Sequence, residues 1–175
     1  MTEWQIDPAH TGVEFAVKHM MVATVRGRFT EVSGTVTEGE EVTVDVTIPT
    51  ASITTGVDQR DTHLRSADFF DTGRYPEMRF TGKLVKGSIT EGGRLEGELT
   101  IRGVTKPVTL EVEAHGEGKD PWGNLKRGYT ATGRLNRTDF GLTWNQALET
   151  GGVLVSDTVR LTLDVQLQQA APVEA

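Results

Sequence analysis

Cysteine is absent from the 175 residues, which removes disulfides, thiolate metal sites and cysteine nucleophiles together. No apolar run approaches the roughly 18 residues that span a bilayer, so no transmembrane segment is expected. Basic residues are also short: 18 Lys plus Arg stand against 25 Asp plus Glu, a formal net charge of −7. An acidic surface without a basic run repels phosphate backbones, and nucleic acid is excluded as a partner. The opening Met1-Thr2-Glu3-Trp4 has no charged stretch leading into an apolar core. A cytoplasmic location is the expectation, or a periplasmic one had a leader been removed.

Catalytic signatures are missing too. There is no G-x-S-x-G elbow, P-loop, HExxH or G-x-G-x-x-G before a helix. The histidines, His10, His19, His63 and His115, lack metal-ligand spacing, although a bend over Pro8–His19 would let His10 and His19 converge. The acidic pairs Asp58/Asp61 and Asp68/Asp71 suit turn and helix capping better than acid–base chemistry. No catalytic residue, resident metal or cofactor is expected.

Period-two alternation fills the chain instead. Val42, Val44, Val46 and Ile48 alternate with Thr43, Asp45 and Thr47. The same rhythm marks Val13–Val17, Leu95–Ile101, Val108–Ala114 and Val159–Leu167. Each is a strand with one wet and one dry face. Turn residues at Glu38–Glu41, Glu91–Gly93, Gly103–Pro107 and Asp120–Asn124 separate the runs. Trp4–Asp7, Phe29–Thr37, Phe80–Ile89 and Lys126–Asn136 are further extended runs. Long hairpin-connected strands favour a closed antiparallel barrel, which leaves no free edge. A sandwich would use the same alternation to fill a solid core.

Val57–Ala67 breaks the pattern and reads as a short, mostly solvated helix with Thr55 as its N-cap. Asp139–Gln146 reads as a second short helix or irregular stretch, and 169–175 as a disordered tail after a single domain over 1–168. Phe69 and Phe70 after the helix, Phe140 and Trp144 in the irregular stretch, and Met20 and Met21 after the first alternating strand are candidates for a lid over an apolar pocket.

Several stretches together resemble one family. They are Trp4-Gln5-Ile6-Asp7-Pro8-Ala9-His10-Thr11, Thr24–Phe29, Asp61–Asp71 with Tyr75-Pro76, Leu99–Val108, Asn136–Gly141 and Ser156-Asp157. In order and over nearly the whole chain, they resemble the YceI-like proteins, a bacterial lipocalin-like family associated with polyisoprenoid binding. The resemblance implies an all-β, extended eight-stranded antiparallel barrel with a helix near one mouth. It also implies a long-chain isoprenoid lipid, quinone or precursor as ligand, and a possible homodimer. The dry faces then supply the tail site: Val13, Phe15, Val17, Val44, Val46, Leu99, Ile101, Leu110, Leu161 and Leu163. Met20, Met21, Leu64, Phe69, Phe70 and Phe140 join them near the mouth. Arg26, His63, Tyr75, Arg137 and Trp144 are the head-group candidates. Carriage or storage of the lipid is the expected function. The alternatives are an enzyme acting on such a lipid through His63 or the Asp61/Asp68 region, and an interaction module with a filled core.

Overall fold

The computed structural model describes residues 1–148 and 154–169. Its strands are β1 (Thr2–Ile6), β2 (Gly12–His19), β3 (Ala23–Phe29), β4 (Ser33–Glu38), β5 (Val42–Pro49), β6 (Ile53–Thr54), β7 (Glu77–Ser88), β8 (Gly92–Ile101), β9 (Val104–Lys119), β10 (Leu125–Asn136) and β11 (Val155–Gln169). One helix, α1 (Asp58–Arg65), lies between β6 and β7. All pairings are antiparallel, in the order β1-β4-β5-β7-β8-β9-β10-β11-β2-β3-β6, and β1 also pairs with β11 to close the ring. β1 and β2 share the same side of β11, while β3 pairs with β2 and β4 with β1. Eight staves therefore form a closed antiparallel barrel, the first three (β1–β2, β3–β4 and β5–β6) each interrupted along their length. The alternating runs that suggested a barrel or a sandwich belong to one continuous ladder.

The break in the first stave has a local cause. Asp7 accepts a hydrogen bond from Ala9 N–H at 3.1 Å, and Pro8 fixes the first position of a short 3₁₀ turn over Pro8–His10. The Asp7 carboxylate also takes Lys126 Nζ at 3.0 Å and Gln166 Nε2 at 3.1 Å, which ties the turn to β10 and β11. Burial alone would raise this carboxyl. The hydrogen bonds from His10, Lys126 and Ala9, with the Lys126 charge, outweigh it and bring the pKa down to about 2.

The helix is shorter than its sequence pattern suggested, and Thr55 does not cap it. Val57 occupies the N-cap without a side-chain bond. Thr55 is held elsewhere, its N–H and hydroxyl both donating to Asp61 at 2.8 and 2.6 Å. The irregular stretch begins as a 3₁₀ turn over Arg137–Phe140 and continues without regular structure. β11 extends to Gln169, and the remainder of the expected tail lies outside the described residues.

The two ends of the barrel differ. One carries the hairpins β4–β5, β7–β8 and β9–β10. There the Tyr129 hydroxyl donates to the Ile89 carbonyl across the interior. The other end, the mouth, carries α1, the β2–β3 hairpin, the β8–β9 turn and the 3₁₀ turn after β10. No helix among the described residues is long and apolar enough to cross a membrane.

Candidate functional site: an apolar cavity under the helix

The dry faces do not meet. They surround a cavity of about 270 Å³ that runs inward from the mouth. Its wall includes Val13, Phe15 and Val17 from β2, with Leu161 and Leu163 from β11. Val46 from β5, Leu99 and Ile101 from β8 and Leu110 from β9 complete the strand contribution that alternation indicated. Leu64 of α1 and Phe69 and Phe70 just after it roof the space. A second apolar space of about 120 Å³ lies deeper, toward Tyr129 and Ile89. Val13, Val46, Phe80, Leu110 and Leu163 line both, so these five side chains form a waist between two chambers. Val44 faces the lower chamber and not the upper one.

Several wall residues were not singled out from the sequence. Ile48, on the dry face of the β5 alternation, and Met78 and Phe80 follow the same rule and were legible in it. Val159 opens the alternating run already read in β11, whereas Ile53 in a two-residue strand, Leu142 in the irregular stretch, and Val155 beside a register shift carry no periodic signal.

Aromatic rings cross the upper chamber. Phe15 and Phe29 lie 5.7 Å apart between centroids, and Phe29 meets Phe70 edge-on at 5.8 Å. The Phe15 ring rests on Gly27, its cross-strand partner. A Cβ there would sit 2.3 Å from the ring, so the site needs the residue without a side chain.

Among the described residues, the charged groups that border the cavity gather at the mouth. His63 Nε2 lies 2.8 Å from Asp68 Oδ2. Its ring meets Phe69 at 5.2 Å and Trp144 at 4.7 Å, both edge-on. Arg60 donates to the Thr55 hydroxyl and carbonyl at 2.7 and 3.0 Å. Asp61 is sunk beneath these groups. Burial would raise its carboxyl, but hydrogen bonds from Thr55 and Thr54 and the Arg65 charge hold it below the usual range. It is an anchor for Thr54 and Thr55 and does not pair with Asp58 or Asp68.

The other expected residues fall in different places. Met20 and Met21 form the exposed turn between β2 and β3 and line neither chamber, because the hairpin projects beyond the barrel. Phe140 is 1% exposed and belongs to the packed core, outside the cavity wall. Arg26 is on the outer face, since Val25 takes the inward position beside it. Tyr75 packs its ring near Gly103 and under Arg74, away from the cavity. Trp144 sits behind His63 and Phe69 and is not part of the wall.

Arg137 does border the cavity, yet its guanidinium is spent on the chain. It donates to the carbonyls of Leu142, Ser156, Trp144 and Val155 at 2.7 to 3.1 Å. Burial pulls its pKa down, and Asp157 at 3.7 Å opposes that. His10 and His19 lie at opposite ends of β2 and do not converge. Among the described residues no three or more His, Asp or Glu side chains form a metal-sized cluster.

Comparison with known proteins fits this geometry. The YceI-like domain matches residues 4–167. A UPF0312 protein of Staphylococcus aureus is 39% identical over 165 residues, covering 91% of this chain and 94% of the relative. The crystal structure of the Campylobacter jejuni YceI protein is 33% identical, with a TM-score of 0.74 over 88% of this chain and 90% of that one. A polyisoprenoid-binding domain from Saccharophagus degradans shares the fold at 16% identity, with a TM-score of 0.71 over 95% of this chain and 98% of that one. A match over almost the full length, with the same barrel, places this chain in the YceI-like family.

Proposed function

We propose that the protein binds one long apolar molecule, an isoprenoid-type lipid, inside the barrel and carries or stores it without chemical change. The observation that carries this reading is the pair of adjacent chambers, which share five wall residues and are walled almost wholly by aliphatic and aromatic side chains. At about 270 Å³ the upper chamber lies just below the usual range for small-molecule pockets, roughly 300–1,000 Å³. A compact guest would be confined to it. A thin chain passes the waist and uses both. The polyisoprenoid-binding domain of Saccharophagus degradans has the same fold, and that likeness supports a prenyl chain over other apolar guests.

The energetics permit it. Each five-carbon unit contributes up to about 3–4 kcal/mol at about 0.8 kcal/mol per buried carbon. Chain ordering offsets part of this. Such a gain is insensitive to chain chemistry, so selection falls to the mouth. There His63, fixed by Asp68, and Arg60, fixed by Thr55, are the polar groups nearest a head group.

No reaction is assigned to these groups. His63 and Asp68 pin the end of α1 against Phe69 and Trp144, and Asp61 is committed to the Thr54 hydroxyl and the Thr55 N–H and hydroxyl. Organic extraction of the purified protein followed by mass spectrometry tests the proposal. A co-purifying long-chain isoprenoid, recovered unchanged after incubation, is the expected result. A clean extract together with no uptake of added polyprenol overturns it.

A further inference from the structure

The β2–β3 hairpin carries an apolar tip that the cavity does not use. Val22 is 84% exposed, Met21 57% and Met20 48%. Val57, just ahead of α1 at the same end of the barrel, is 47% exposed. The turn is built against local preference. Val22 N–H donates to His19 C=O at 3.3 Å, and Met20 and Met21 between them have φ of 55° and 63°. Two left-handed residues in a two-residue turn are ordinarily Asn-Gly. Methionine there costs backbone energy and returns no packing inside the protein.

The flanks of the hairpin differ in charge from the rest of the chain. Lys18, Arg26 and Arg28 stand against the single acid Glu14 between Gly12 and Phe29, in a protein of net charge −7. Lys18 lies on the outer face with its ammonium on the Thr24 hydroxyl at 3.2 Å. Arg26 and Arg28 line a shallow outer cleft with Glu14 and Thr162. None of the three bases reaches a carboxylate within ion-pair distance among the described residues. The hairpin tips at the opposite end of the barrel carry Glu40, Glu41, Glu91 and Asp120 instead. The rest of the mouth carries both signs, Asp58, Asp68 and Asp157 beside Arg74 and Lys106, so the hairpin is set apart by having its bases next to an apolar tip.

We propose that this hairpin is the element with which the protein touches an anionic lipid surface, inserting Met20, Met21 and Val22 and setting Lys18, Arg26 and Arg28 against the head groups. A projecting tip flanked by bases suits the boundary between head groups and acyl chains. It does not suit a second copy of this chain, because three side chains expose far less than the roughly 1,200 Å² that a stable pairing buries. His19, directly before the tip, borders the cavity. Contact through the hairpin therefore holds the mouth against the bilayer, where lipid guests reside. That last consequence rests on the lipid-binding reading, whereas the contact itself is measurable with no guest.

The test is flotation with vesicles of phosphatidylglycerol and phosphatidylcholine in equal parts. The wild type rises with these vesicles, and less so with phosphatidylcholine alone or at high salt. Met20→Asn with Met21→Gly gives the turn its preferred residues, so the variant folds at least as well, yet its partition falls tenfold or more. Each of Lys18→Gln, Arg26→Gln and Arg28→Gln lowers partition to anionic vesicles about fivefold. Trp122→Ser, at the far end and 84% exposed, leaves it unchanged. Three results overturn the proposal: no flotation of the wild type, equal flotation of the Asn-Gly variant, or a dimer that this variant dissolves with no change at the vesicle. Polyprenol uptake without flotation removes the docking surface and leaves the cavity reading intact. Flotation without uptake does the reverse.

Discussion

At the closed end of the barrel, hairpins join β4–β5, β7–β8 and β9–β10, and the chain stays within the sheet ladder. Side chains only finish the seal: Tyr129 on the Ile89 carbonyl, Trp4 Nε1 on Glu38 at 3.3 Å, and Lys126 on Asp7. At the mouth the chain leaves the ladder for α1 and two irregular stretches, and arginines do the work of strands. Arg65 donates to Ala51 and Ile53 carbonyls, Arg102 to Phe69 and Gly141, Arg60 to Thr55, and Arg137 to four more. A planar fork with five donors suits that task, because orphan carbonyls near an apolar space are costly. The contrast shows how a cavity can stay open at one end: the roof is fastened from the side by guanidinium groups and does not fill the middle.

Arg137→Ala breaks that contrast most severely. It takes the guanidinium from four carbonyls near the cavity, of which only Val155 keeps another side-chain donor, Asn145 Nδ2 at 2.7 Å, and a loss of about 3–5 kcal/mol in urea unfolding is expected. A loss below about 1 kcal/mol would mean that the mouth is held by something else. Leu99→Arg comes next. Its side chain is 9% exposed and faces the upper chamber, so a charge placed there has no partner. Polyprenol uptake should disappear and stability fall by about 2–4 kcal/mol. Unchanged melting would reverse the faces of β8.

Those faces were the most legible part of the sequence. Alternation put Val13, Phe15, Val17, Val46, Leu99, Ile101, Leu110, Leu161 and Leu163 on the dry faces, and the barrel implied by the family resemblance made those faces the expected cavity wall, which is where they lie. The same rule, applied to β3, sends Val25 inward and Arg26 outward, so Arg26 was misplaced by overlooking a pattern already present. Arg137 and Thr55 failed for another reason. What a polar side chain bonds to is decided by backbone groups remote in sequence, such as Ser156 C=O for Arg137. Met20 and Met21 were read as pocket residues from their chemistry, whereas a tight turn after His19 carries them out of the barrel.

Smaller changes sharpen the comparison from the closed end. Tyr129→Phe removes the hydroxyl from Ile89 and should cost about 1–2 kcal/mol while leaving uptake intact. Reduced uptake in that variant would show that the lower end is itself an entrance. Acid should loosen the same region. The Asp7 pKa is depressed to about 2, so its contribution is complete above the ordinary carboxylate pKa near 4 and drains away as pH falls toward 2. After solvent screening the expected loss is about 1 kcal/mol, read as the pH dependence of urea midpoints. In Asp7→Asn that share of the slope should vanish. A slope that persists in full would assign the acid sensitivity to other carboxylates.

Native mass spectrometry after incubation with an added polyprenol addresses the open interior most directly. The wild type should carry one polyprenol per chain, and the Leu99→Arg protein, still folded by circular dichroism, should carry none. Bare wild-type protein, or the same occupancy in both, would contradict an open barrel that shelters a lipid chain.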